Sequence, residues 1–204
     1  MDIPARNMNL LFEIEDTEIP DIQGLCYIPD FITKHEEQAL LDHIDSQPWL
    51  GDLKRRVQHY GYKYDYKART IAKESYIGAL PEWINIISSK LCDVGIFQSR
   101  PDQAIVNEYM PGQGIAPHID CTPCFGDTIA SLSLGSAVMM QFIHPETKEK
   151  HELYLKERSL IALSGEARYD WQHAIPARKS DVVNGFKIDR GRRVSLTFRT
   201  VNLI

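Results

Sequence analysis

Between positions 103 and 201 the chain is patterned in short alternating runs. Apolar and polar residues exchange places over 103–109, 128–134, 137–143, 151–155, 159–163 and 193–201, with Gly and Pro breaks between runs. A period of two sends successive side chains to opposite faces of an extended strand. This half of the chain therefore predicts a sandwich or jelly roll of short strands. Upstream the period lengthens. Thr33 and Glu36 form a capping box, and Ala39, Leu40, Leu41 and Ile44 then share one helical face as far as Pro48. A second helix is predicted from Pro81, with Trp83, Ile86, Ile87 and Leu91 inward and Gly95 as its stop. The expectation is an α+β chain forming one domain over 1–204. Two supporting N-terminal helices lie within about 20–102, and the jelly-roll core follows over 103–204.

The last run carries more than a fold signal. Arg193, Ser195, Thr197 and Arg199 fall on one face of the strand, and Val194, Leu196 and Phe198 on the other. Asn107 and Tyr109 repeat the arrangement on an earlier run, so four side-chain donors (Asn107, Tyr109, Arg193 and Arg199) would surround a buried anion. Guanidinium forks suit carboxylates, which they grip with two parallel hydrogen bonds.

His118-Ile119-Asp120 lies between those runs, and His173 follows 55 residues after His118. Pro111-Gly112-Gln113-Gly114 and Pro117 exclude a helix there, and in an extended segment residues two apart share a face. A His-x-Asp pair with one distant His is the donor set of a facial triad, which holds Fe(II) and leaves three positions open. The catalytic and metal residues expected are thus His118, Asp120 and His173. His43-Ile44-Asp45 is the same tripeptide, but it sits in the first predicted helix, where residues two apart point about 200° away from one another. It is a decoy.

Composition narrows the rest. With 43% hydrophobic and 25% charged residues in 204, the chain reads as globular. No apolar run approaches a membrane span, and Met1 to Asn9 is not the start of a signal peptide, so the expectation is no membrane and a cytoplasmic or nuclear place. A net charge of −5 restricts any polyanion site to a local patch. Such a patch exists: Leu53 to Arg69 holds six Lys or Arg against one Asp. Tyr60, Tyr62, Tyr64 and Tyr66 alternate within it and would form one aromatic face in a strand. Cations hold phosphates and rings stack on unpaired bases, which suits single-stranded or looped RNA or DNA. Lys54, Arg55, Arg56, Lys63 and Lys67 are the expected phosphate ligands. Of the four cysteines, Cys121 and Cys124 have C-x-x-C spacing, but without further ligands they read as incidental thiols.

At these residues the chain resembles the AlkB family of Fe(II)/2-oxoglutarate dioxygenases. The resemblance is carried by Asn107-Glu108-Tyr109, Pro117-His118-Ile119-Asp120, Ser131-Leu132-Ser133-Leu134-Gly135, His173 and Arg193 through Arg199. Arg55-Arg56-Val57, Tyr60-Gly61-Tyr62 and Gly165-Glu166-Ala167-Arg168-Tyr169, with Trp171 beyond, make it most similar to the branch that hydroxylates tRNA wobble uridine. The resemblance implies a double-stranded β-helix with a nucleotide-recognition hairpin lid, and Fe(II), 2-oxoglutarate and O₂ as cofactor and co-substrates. It implies that Arg193 grips the distal carboxylate of 2-oxoglutarate with help from Tyr109, while Asn107, Ser195 and Arg199 lie close by. Tyr60, Tyr62, Arg168, Tyr169 and Trp171 join the lid cations as expected substrate contacts, in a monomer acting on a modified base. A protein or small-molecule hydroxylase and a non-catalytic binding module are the competing classes.

Overall fold

The computed structural model describes residues 18–51, 54–66, 68 and 70–203. Elements β1 (Leu25–Ile28), α1 (Lys34–Ser46), β2 (Val57–Tyr60) and α2 (Glu82–Asp93) precede the strand-rich half. There follow β3 (Gln103–Tyr109), β4 (Ile115–His118), β5 (Phe125–Gly135), β6 (Val138–Ile143), β7 (Lys150–Leu155) and β8 (Leu160–Leu163). A short α3 (Gly165–Tyr169) leads to β9 (Gln172–Ile175), the hairpin β10 (Ser180–Val183) and β11 (Phe186–Asp189), and finally β12 (Arg193–Val201). Every pairing is antiparallel. The larger sheet runs β1-β8-β5-β12-β3-β2 and the smaller β4-β9-β6-β7, the two sheets of a jelly roll.

β12 is central, between β5 and β3, and its residues from Arg193 to Arg199 are all buried. Its alternation serves two interiors. Val194, Leu196 and Phe198 join Leu40, Ile44, Ile84, Ile87 and Leu91, so the helices cover the outer face of the larger sheet. Arg193, Ser195, Thr197 and Arg199 turn instead to the space between the sheets. There Val138, Met140, Phe142, Leu153 and Leu155 of the smaller sheet pack with Ile161 and Leu163 of β8. Burying all these side chains is the main term holding the roll shut, at about 1.5–3 kcal/mol for each large aliphatic or aromatic one.

The predicted helix starts are found, with Thr33 capping α1 in a full capping box and Pro81 at the cap of α2. One inward assignment is corrected: Ile86 is 57% exposed, and Ile84 takes the inward position with Ile87 and Leu91. Residues three and four apart share a helical face, so Ile84, Ile87 and Leu91 form one stripe and Ile86 falls off it. β1, β2, β4 and β9 to β11 are four residues each, too short for a visible period. β4 contains Pro117, which is tolerated because β4 is an edge strand. Gly114 just before it is needed for close approach: a Cβ there would stand 2.1 Å from the carbonyl oxygen of Ile175 on β9. Among the described residues no helix is long and apolar enough to cross a membrane.

Candidate metal centre and co-substrate pocket

Between the sheets lies a cavity of about 380 Å³, within the range of small-molecule sites. His118, the last residue of β4, stands opposite His173 of β9 in the strand register, with ring centroids 4.3 Å apart. Asp120 follows two residues on. One ligand atom from each of the three lies within 4.8 Å of the others, and among the described residues no other group of His, Cys, Asp and Glu converges in this way. His118 uses Nδ1 for the carbonyl oxygen of Ala116 at 2.8 Å, which leaves Nε2 facing Oδ1 of Asp120 at 3.5 Å. A hydrogen bond at one ring nitrogen orients the other for a metal. Burial, reinforced by His118, pulls the pKa of His173 down to about 4, so its imidazole is neutral, as a metal ligand must be. Burial pushes the Asp120 carboxyl upward, but Arg199 and the two histidines outweigh it and hold it well below the usual range. Two imidazoles and one carboxylate form the donor set of an Fe(II) facial triad, so the residues fit that metal.

The decoy resolves as its helical position requires. His43 stacks on Trp83 with centroids 5.8 Å apart, and Asp45 accepts from Arg192.

At the other end of the cavity is an uncompensated cation. Arg193 is 3% exposed, and its Nη2 donates to Ser133 Oγ at 3.0 Å. Its Nε and Nη1 are buried with no partner. A buried guanidinium with idle donors is costly unless an anion completes it. Burial already pulls its pKa down to about 10. Tyr109, Asn107 and Ser195 line the same wall, so the expected anion-binding residues are brought together. Arg199 lines it too, but is committed to Asp120 Oδ2 at 2.9 Å and Gln103 Oε1 at 3.2 Å.

The lid expectations divide. A hairpin is present, bridged at Tyr62 with Tyr76 and at Asp65 with Thr70. Its tyrosines do not form one face. Tyr60 lies on the helix side of β2, edge-on to Trp83 at 5.3 Å, and Tyr62 packs against Tyr76 at 5.1 Å, so neither lines the cavity. The reason is Gly61, at φ +76°, which ends the strand and breaks the alternation. Tyr64 and Tyr66 do line the cavity, with Phe125 beside Tyr64. Sequence patterning could not separate these two from the first two, and Phe125 carried no signal beyond its hydrophobicity. Arg56 is half-exposed and turned to Glu108, which accepts from its Nε and Nη2 through both carboxylate oxygens, so its charge is already paired. Arg55 lines the cavity and donates to Asn107. Lys54 and Lys63 are exposed, while Lys67 lies outside the described residues.

Three further expected substrate contacts are displaced. Arg168 is 2% exposed and reaches the carbonyl oxygens of Asp120 and Cys121 at 3.0 and 3.4 Å, behind the metal loop. Tyr169 binds Asp127 at 2.8 Å. Trp171 packs in the inter-sheet core between His144 and His151. None of the three lines the cavity. α3 turns this segment away from the cavity, a local reversal that spacing does not reveal. Cys121 and Cys124 are also corrected: they are joined as a disulfide across a tight turn, with Cα atoms 5.3 Å apart.

This fold and donor set are those of the family that matches the sequence. Residues 24–199 match the 2OG-Fe(II) oxygenase superfamily, to which the chain belongs; its place within that superfamily is the AlkB family. Fe(II), 2-oxoglutarate and O₂ are the cofactor and co-substrates of that chemistry. The Arabidopsis thaliana "alkylated DNA repair protein ALKBH8 homolog" is 40% identical over 91% of this chain and 60% of its own length. The Mus musculus tRNA (carboxymethyluridine(34)-5-O)-methyltransferase ALKBH8 is 39% identical over 87% of this chain, which spans only 30% of that longer protein. Among solved structures, one titled "The structure of OsALKBH1" superposes with a TM-score of 0.67 at 16% identity, covering 87% of this chain and 96% of the other. A Pseudomonas putida prolyl-4-hydroxylase superposes with a TM-score of 0.56 at 15% identity, covering 87% of this chain and 92% of the other, a likeness of fold alone.

Proposed function

We propose that the chain hydroxylates or oxidatively demethylates a modified base in single-stranded or looped RNA or DNA, acting as a monomer. In this reading His118, Asp120 and His173 hold Fe(II), which with 2-oxoglutarate and O₂ supplies the oxidant that turns a substrate C–H into C–OH. Arg193 grips the distal carboxylate of 2-oxoglutarate, with Tyr109, Asn107 and Ser195 along the same wall. The observation that carries it is the pairing, in one cavity, of a converged metal triad with a buried guanidinium whose Nε and Nη1 lack partners. Arg199 orients Asp120 from behind, and the apolar walls of Ile105, Ile129 and Ile161 limit water.

The nucleic-acid part has separate support. The names of the relatives include tRNA modification, RNA/DNA demethylation and DNA N6-methyl adenine demethylation. Tyr64 and Tyr66 offer aromatic rings to the cavity that holds the triad, and a base in a duplex would have to be flipped out to reach them. A hydroxylated N-methyl group would collapse to formaldehyde, whereas a hydroxylated carbon substituent would remain as product. The test is mass spectrometry of nucleosides from tRNA and from alkylated single-stranded oligonucleotides, before and after treatment with enzyme, Fe(II) and 2-oxoglutarate. A mass gain of one oxygen, or loss of a methyl, on a defined nucleoside is expected. Turnover of 2-oxoglutarate with no nucleoside change in any pool would overturn the substrate class.

A further inference from the structure

Sequence alone groups Arg55 with the phosphate-holding cations of the lid, but its contacts lie elsewhere. Its Nε donates to Oδ1 of Asn107 at 2.9 Å, and its guanidinium carbon lies 5.6 Å from the centroid of Tyr109. Arg193 stands at the same distance, 5.6 Å, from that ring. Among the described residues no carboxylate pairs with Arg55, whereas its neighbour Arg56 is taken up by Glu108.

The hydrogen bond has a directional consequence. An arginine Nε–H can only donate, so the amide atom it meets must be the oxygen. Asn107 is 8% exposed and sits opposite Ser195 in the register between β3 and β12, on the wall that carries Arg193. With Oδ1 held by Arg55, the amide turns Nδ2, the donor, away from the lid, and that nitrogen has no partner among the described residues. Released from Arg55, the amide could flip and present oxygen lone pairs to an incoming carboxylate, replacing a donor by a repulsion. The same guanidinium stands over the ring of Tyr109, a cation–π contact that favours the ring's present position.

We propose that Arg55 is a positioning residue for 2-oxoglutarate, acting through Asn107 and Tyr109, and is not a phosphate ligand. The inference rests on the reading that Asn107 and Arg193 face the co-substrate. It also makes the lid segment part of the co-substrate site, so that the first residues of the lid are held in place before any substrate arrives.

The experiment measures two affinities in wild type and in Arg55→Met, Asn107→Ala, the double variant and Arg193→Met. The first is 2-oxoglutarate binding to anaerobic Fe(II)-loaded enzyme, followed by its metal-to-ligand absorption band. The second is binding of a single-stranded RNA oligonucleotide with no 2-oxoglutarate present. Arg55→Met should weaken 2-oxoglutarate about tenfold, the size expected for one lost charge-assisted hydrogen bond. It should leave RNA affinity within about twofold and raise the KM for 2-oxoglutarate without lowering kcat at saturation. The double variant should bind 2-oxoglutarate no more weakly than Asn107→Ala, because Arg55 acts through that amide. Weakened RNA binding with unchanged 2-oxoglutarate affinity would overturn the proposal and restore the phosphate role. Fully additive losses in the double variant would also overturn it. Arg193→Met tests the underlying reading: unchanged 2-oxoglutarate affinity in that variant would remove the site itself.

Discussion

Arg199 donates through Nε to Oδ2 of Asp120 at 2.9 Å, so the central strand that carries the buried Arg193 also holds the carboxylate of the His118-Asp120-His173 cluster. The two arginines share one face of β12, six residues apart, and meet opposite circumstances. Arg199 is neutralised by Asp120 and sits over Phe125, while Arg193 keeps two buried donors unused. The first contact fixes the Asp120 carboxylate beside the two histidines, and the second leaves a guanidinium free to take an anion, as the proposed function requires.

Asp120→Ala is expected to abolish 2-oxoglutarate turnover while the protein still folds, because a facial triad has no spare protein ligand. His43→Ala should retain full iron binding and turnover, since its contact is a stack on Trp83. Asp45→Ala should retain both and lose at most about 1 kcal/mol of stability, because its ion pair with Arg192 is partly exposed. Iron content by metal analysis, with turnover by succinate release, checks all three. Loss of iron in either helix variant would refute the decoy.

Arg193→Lys keeps the charge but not the fork, so the KM for 2-oxoglutarate should rise by about tenfold or more with a smaller change in kcat. Steady-state kinetics over 2-oxoglutarate concentration measures it. An unchanged KM would move the anchor to another residue.

Replacing both Lys54 and Lys63 by Ala should weaken RNA binding and flatten its dependence on salt. For single strands each phosphate contact contributes about 0.7 to the slope, so the pair should remove about 1.4. Affinity titrations at several salt concentrations decide it. Conversion of 2-oxoglutarate without nucleic acid should be unaffected, as both lysines are exposed and outside the cavity.

Arg168→Met should lower stability and loosen iron, because it removes the donors to the carbonyl oxygens of Asp120 and Cys121. A loss of about 2 kcal/mol is expected for those contacts at a buried site. RNA affinity should stay unchanged. A selective loss of RNA binding, with melting temperature and iron retained, would return Arg168 to the substrate site.

Stability should also fall in acid through Glu108. Its hydrogen bonds from Arg56 and then Arg192, working against burial, hold its carboxyl below the ordinary 4.5. A depressed folded pKa means the unfolded chain takes up the proton first as pH drops. The contribution is therefore full above about 4.5 and is lost as pH falls below that through the folded value. Glu108→Gln should cost about 2 kcal/mol near neutrality and leave a flatter stability curve between pH 5 and 3. Denaturant unfolding across that range measures both effects.

The chemistry of this protein was legible in the sequence because it depends on period and on local exclusion. Alternation along 193–199 puts two arginines on one face in any strand, and Pro and Gly around 111–117 forbid the helix that would separate His118 from Asp120. Tertiary structure alone decided which of the remaining polar and aromatic residues meet the cavity. Gly61 cancels the phase of the tyrosines after one strand, so Tyr64 and Tyr66 line the site and Tyr60 and Tyr62 do not. Glu108 captures Arg56 and Asn107 captures Arg55, although the two cations are adjacent in sequence, because neighbouring residues of β3 face opposite sides of the sheet. Arg168 is withdrawn behind the metal loop by carbonyl oxygens 47 and 48 residues away. Pairings across such separations depend on how strands are brought side by side, and a period along one segment carries no information about them.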